Sequence, residues 1–287
     1  MGEFFEAVAE PANAFLRLAL ATGIAASVAC GIVGTYVVTR RITYIAGGVA
    51  HCVLAGMGAA QYLRVVHGWD WLHPLYGAIV AALSAAMIIG LVSLRAKERE
   101  DTVIGAIWAI GMAIGILFIS RTPGYNENLM SYLFGNILMV TPGDLWLILV
   151  LDVFVVGTTA LYYDSFLAVC FDEEFARLRG LRVEYYYLLL LCLTAVTVVL
   201  LVTVVGIVLV IALLTLPVAV AGHFSKRLLR TMVLAGLFSA AFSTGGLAIS
   251  YGPALPAGAT TIVLAGAVYL VVTVAARWTR PGRSASN

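Results

Sequence analysis

The charged stretch Arg95–Asp101, reading RAKERED, is an island in a chain that is otherwise apolar for long distances. Runs of about 18 to 25 largely uncharged residues recur from Ala14 to Ala276, each closed by short charged punctuation. Such runs select the solvent. A helix needs ~20 apolar residues to cross a hydrocarbon core ~30 Å thick. In lipid its backbone polar groups must be satisfied within the segment, so a single run crosses as an α-helix. Charged residues make up 11% of the chain and hydrophobic ones 62%, where a soluble domain carries roughly 25% charged residues. No polar stretch is long enough for a separate soluble unit. The 287 residues are therefore read as one integral membrane domain, 1–287, with a short acidic N-terminus at 1–13 and a basic tail at 277–287.

The fold class expected is an all-α polytopic bundle of eight to nine spans. They are placed at 14–38, 43–64, 75–94, 102–120, 143–163, 186–203, 206–223, 231–250 and 257–276. Tyr187 to Gly222 would measure about 54 Å as one helix, too long for one crossing, so a break is expected near Thr203–Gly206. Orientation follows from the basic residues. With the N-terminus outside, the inner side holds Arg40, Arg41, Arg95, Lys97, Arg99, Arg177, Arg179, Arg182, Lys226, Arg227, Arg230, Arg277, Arg280 and Arg283, which is 14 of 17. That bias selects N-out and C-in. The N-terminal MGEFFEAVAEPANAF lacks the basic region of a cleaved signal, so the first span is expected to be retained.

Several chemistries are excluded. Cys30, Cys52, Cys170 and Cys192 form no CxxC pair, which argues against a zinc-thiolate or disulfide framework. There is no GxxxxGK[ST], and the lysines are Lys97 and Lys226 alone, so ATP is not bound in the P-loop manner. No HExxH or GxSxG set occurs either. The chain is read as a non-catalytic membrane subunit; if ATP drives it, the motor is another chain. Nothing points to nucleic acid. Gly111 and Gly115 read as helix packing, whereas Gly47, Gly48, Gly56 and Gly58 crowd the second span and suggest a tightly lined path.

The inner loop Asp164–Glu184 mixes apolar and charged residues at helical spacing. Phe171, Phe175 and Leu178 share a face, flanking Ala176. Asp172, Glu173 and Glu174 begin a short helix and Arg177 and Arg179 end it, as a helix dipole prefers; Gly180 stops it. Two readings are open: a helix at about 171–180 that couples to a cytoplasmic ATPase, or an amphipathic helix lying on the membrane.

Four segments in order resemble one family: RRITYIAGGVAHCVLAG (40–56), EDTVIGAIWAIGMAIGILFIS (100–120), MSYLFGNIL (130–138), and FDEEFARLRGL (171–181) followed by VGIVLVIALLTLPVAVAG (205–222). The chain is similar to the permease subunit of ABC-type zinc, manganese and iron importers, from about Gly31 to Ala221. That resemblance implies the fold of the vitamin B12 importer permease, a homodimer with the path at its interface, two ATP-binding subunits below, and an extracytoplasmic metal-binding protein above, in the cell membrane. It favours the coupling role for Phe171, Asp172, Glu174, Phe175, Ala176, Arg177 and Gly180. It implies no permanently bound cofactor, the divalent metal ion being cargo. The chain departs from the family at Gly47, where many members carry aspartate, at Ala50, where serine is usual, and at Ala55, where many have proline.

His51 is the first candidate for meeting the ion. It lies inside the second span, where an ionisable group is costly unless it faces a cavity or a partner, and imidazole suits transition metals; the other reading is a histidine bonded between helices. Cys52 points elsewhere. Asp152, at depth in the fifth span, is a second path candidate, or else pairs with a hydroxyl such as Thr158. At the outer entrance His67, Asp70 and His73 are spaced by three, beside the interface anchors Trp69 and Trp71. Glu127 lies in another outer loop that could meet the binding protein. His223 sits at the inner end of the seventh span. Alternatives to a metal-ion importer are a permease for a chelate such as a siderophore, an ion-coupled secondary transporter, and a membrane-embedded enzyme; the second would show inverted repeats and midplane carboxylates.

Overall fold

The computed structural model describes residues 2–10, 13–95, 100–123, 135, 139–253 and 255–278. Its helices are α1 (Gly2–Ala9), α2 (Ala14–Thr39), α3 (Thr43–His67), α4 (Pro74–Arg95), α5 (Glu100–Arg121), α6 (Pro142–Phe171), α7 (Glu173–Leu178), α8 (Val183–Val205), α9 (Ile207–Phe224), α10 (Leu228–Tyr251) and α11 (Ala257–Trp278). Among the described residues, nine of these are long and apolar enough to cross a membrane, all except α1 and α7. The expected break falls at Gly206, whose φ of +84° separates α8 from α9 with no other residue between them.

α2 sits centrally, packed on α6, α9 and α10, while α3 packs between α4 and α5 and α8 leans on α4 and α6. In lipid such contacts depend on close approach of small residues and on van der Waals packing. Gly56 of α3 meets Gly77 of α4 backbone to backbone. Gly58 and Leu54 of α3 meet Gly115 of α5, and Cys52 meets Gly111. Gly31 of α2 meets Gly236 of α10. The reading of Gly111 and Gly115 as packing therefore fits the geometry. The path reading of the second span's glycines is corrected: Gly48, Gly56 and Gly58 are filled by Ile104, Gly77 and Gly115, and only Gly47 has room, its nearest neighbours being Trp108 at 3.8 Å and Ile211 at 3.9 Å from a built Cβ.

Two further differences have local causes. The acidic N-terminus contains α1, held by Phe4, which is 1% exposed and packs edge-on to Tyr251 at 5.9 Å. The fifth span does not end at 163. A capping box between Thr141 and Asp144, with Pro142 following, starts α6. The helix then passes a kink at Tyr162 (φ −113°, ψ 18°) and runs on to Phe171. Asp164 is thus a helical residue, and the inner connection is shorter than the sequence suggests.

Candidate functional site

Helix α3 carries His51 on the side facing α5. The imidazole is 9% exposed and its Nδ1 has no hydrogen-bond partner. It lies flat on the Trp108 indole of α5, which in turn neighbours Tyr44 at 5.9 Å and donates from Nε1 to the Met112 sulfur at 3.3 Å. Gly47, one turn before His51, faces Trp108 and Ile211 of α9, and a methyl group built there would meet both at ordinary contact distance. The result is a buried imidazole packed flat on an aromatic wall. Chemically it offers a single nitrogen ligand and no carboxylate, the kind of weak contact that lets an ion leave again. Cys52 turns away as expected, its Sγ donating to the Ile107 carbonyl at 3.4 Å.

Asp152 lies in a different seam. On α6 and 8% exposed, it accepts the Ala29 amide of α2 through Oδ1 at 3.1 Å, so its partner is backbone rather than the Thr158 hydroxyl. The structure does not bring it to His51. Among the described residues no three His, Cys, Asp or Glu side chains come together as a metal-binding group. His67, Asp70 and His73 are all exposed and follow that rule. His67 meets the edge of Tyr62, His73 accepts the Leu75 amide at the start of α4, and Trp69 stacks on Trp71 at 6.1 Å. His223 is exposed, with Nε2 3.5 Å from the Thr273 hydroxyl. Glu127 lies outside the described residues.

The short helix α7 forms as its sequence suggests. Asp172 caps it by accepting the Phe175 amide at 2.9 Å. Ala176 is fully buried against Val169 of α6 and Val183 of α8. At its end Leu181 N–H bonds the Ala176 carbonyl and Gly180 N–H bonds that of Arg177, with Gly180 at φ +79°, a Schellman closure that glycine makes without Cβ strain. Phe171, Phe175 and Leu178 stay 64%, 48% and 87% exposed among the described residues, an apolar edge at the end of the hairpin. The Arg179 guanidinium lies over the Phe175 ring, and Arg177 pairs with Glu184 at 2.8 Å. Glu173 and Glu174 occupy the first turn.

Sequence reasoning missed Trp108, Tyr44 and the pairing of Glu173 with Arg40. Trp108 carried a signal, as the one aromatic residue between Thr102 and Leu117. The Arg40–Glu173 pair carried none.

The sequence profile of the ABC 3 transport family matches residues 12–276. The chain is 42% identical over 250 residues to a probable metal transport system membrane protein of Chlamydia trachomatis, covering 87% of this chain and 85% of that one. It is 33% identical over 258 residues to the manganese transport system membrane protein MntC of Listeria monocytogenes, covering 90% and 89%. In three dimensions it resembles the structure of PsaBC from Streptococcus pneumoniae in complex with Fab, with a TM-score of 0.81 at 29% identity over 94% of each chain. A putative metal-chelate type ABC transporter shares the fold, at a TM-score of 0.64 and 14% identity, over 91% of this chain and 86% of that one. With its all-helical fold and this match over nearly its whole length, the chain belongs to the ABC 3 transport family of metal-transporter membrane permeases.

Proposed function

We propose that this chain, as a single permease domain, forms the membrane path of an ATP-driven importer for a divalent transition-metal ion: manganese, zinc or ferrous iron. It works as a homodimer, N-terminus outside and C-terminus cytoplasmic. A separate ATP-binding subunit grips α7 from the cytoplasm, and an extracytoplasmic metal-binding protein delivers the ion on the side of His67, Asp70, His73 and Glu127. The observation that carries this reading is His51, a buried imidazole within the second span, stacked on Trp108 and with an unpaired ring nitrogen. An ionisable side chain so placed has a functional reason by default. Relatives named for manganese transport support manganese as the first ion to test; a lone imidazole without a carboxylate also suits zinc and ferrous iron. The exposed apolar edge of α7, together with the lack of any ATP-binding motif, supports an external motor. The glycines of α3 add no width for a chelate, because three of the four are occupied by neighbouring helices.

The test is uptake in proteoliposomes holding the permease with its co-purified ATPase and binding protein. ATP-dependent accumulation of at least one free ion is expected. His51→Ala should lower it roughly tenfold with the complex still assembled, the loss of ~1.4 kcal/mol of path contact. Replacing Glu174 and Arg177 together should break the link between hydrolysis and uptake. Accumulation of a ferric siderophore but of no free ion, or uptake independent of ATP, would overturn the reading.

A further inference from the structure

The contacts of α7 divide into two kinds. Ala176 packs on the flanking helices α6 and α8, and the Arg177–Glu184 pair joins α7 to the start of α8. That pair is 56% and 53% exposed, so water screens it. Among the described residues, the polar side-chain contact that leaves this local hairpin is Glu173 with Arg40, 133 positions away. It is more protected, at 22% exposure for Arg40 and 38% for Glu173.

Arg40 is the C-cap of α2, at the corner that leads into α3. Its guanidinium also lies over the Tyr187 ring of α8, 5.4 Å from the centroid, and the Tyr187 hydroxyl lies 3.3 Å from the Ser93 hydroxyl of α4. One planar cation therefore touches α7 and α8 at once, which guanidinium does better than an ammonium. The corner itself is closed tightly. Ile42 N–H bonds the Val37 carbonyl and Arg41 N–H that of Val38, with Arg41 at φ +61°. This is the Schellman closure that Gly180 makes in α7, here forced on a residue with a Cβ, in a conformation that L-residues rarely adopt. Ile42, buried at 6% exposure, anchors it. With no slack in this turn, movement at Arg40 passes directly to the first turn of α3, and His51 lies about 12 Å further along that helix.

We infer that Arg40 is a positioning residue for transport, a strut through which its ion pair with Glu173 carries displacement of α7 to α3 and to the imidazole of His51. The inference rests on the reading of α7 as the ATPase contact. It gives Glu173 a role separate from the exposed Phe171, Phe175 and Leu178, which face outward: they receive the force and Glu173 passes it inward.

The test uses the full complex in proteoliposomes and reads ions accumulated per ATP hydrolysed. Glu173→Gln and Arg40→Gln should each lower that ratio at least tenfold while hydrolysis continues and the ATPase still co-purifies. The charge swap Arg40→Glu with Glu173→Arg should recover most of it, which a merely structural loss would not allow. If Arg40→Gln fails to assemble, Glu173→Gln decides alone. A wild-type ratio in Glu173→Gln, or no recovery in an assembled swap, overturns the strut. A wild-type complex whose permease neither binds an ATPase nor moves an ion in response to ATP overturns the functional reading itself, and the strut falls with it; the two failures are told apart by the wild-type control.

Discussion

The imidazole of His51 and the indole of Trp108 lie 4.2 Å apart, centroid to centroid, and within 14° of parallel. The stack fixes the plane of the imidazole on α3 from a neighbouring helix, α5. A ring held in this way presents its nitrogens in set directions without needing a hydrogen bond to do so.

Trp108→Leu keeps the span apolar but removes the wall against which His51 rests. Its expected result is a three- to tenfold fall in metal uptake, since aromatic stacking is worth about 0.5–1.5 kcal/mol beyond burial, with assembly preserved. Trp108→Phe should retain most of the uptake. Equal transport by wild type and Trp108→Leu would show that the stack does not matter to the path.

Gly56 and Gly47 sit on the same helix and should respond very unequally to a methyl group. A Cβ at Gly56 lands on the Gly77 backbone, whereas one at Gly47 meets only ordinary contacts at 3.8 and 3.9 Å. Gly56→Ala is expected to lower stability in detergent by about 1–3 kcal/mol through forced separation of α3 and α4, and Gly47→Ala by less than about 0.5 kcal/mol. Thermal unfolding of the two purified variants checks both values.

Asp152 offers a direct comparison between scaffold and path. Asp152→Asn keeps an oxygen able to accept the Ala29 amide, so stability should change little and uptake should stay within about twofold. Asp152→Leu removes the acceptor and should destabilise the α2–α6 seam by about 1–3 kcal/mol. A tenfold loss of uptake in a stable Asp152→Asn variant would instead make the carboxylate a ligand of the moving ion.

The spans were legible because hydrocarbon thickness imposes a length on each apolar run, and the break at Gly206 because one run exceeded that length. The helix after Asp172 was legible from its own residues, cap to stop. Partners across the bundle were not. Nothing in the local sequence marks Arg40 and Glu173 as neighbours, or Ala29 as the donor to Asp152, since helical periodicity assigns a face without naming the helix opposite. The glycines of α3 misled for the same reason: small residues permit close approach, and whether a helix or an open space takes up the room depends on the neighbour. Asp164 reads in the sequence as the start of a loop, yet a single acidic residue carries little penalty in a helix that has already run one crossing's length, and α6 continues through it.

The length of α6 has a mechanical meaning. Thirty residues make a rod of about 45 Å, about 15 Å more than one upright crossing of a ~30 Å hydrocarbon core requires. The bend at Tyr162 divides the helix into a shaft and a shorter arm, whose Phe166 packs edge-on against Tyr36 at 5.3 Å and whose Val169 packs against Ala176. With about 14 Å between that bend and Phe171, a swing of only about 10° would sweep the arm's tip through about 2.5 Å. If an ATPase subunit grips the tip, as proposed above, it needs no larger stroke than the sliding of one side chain past its neighbour.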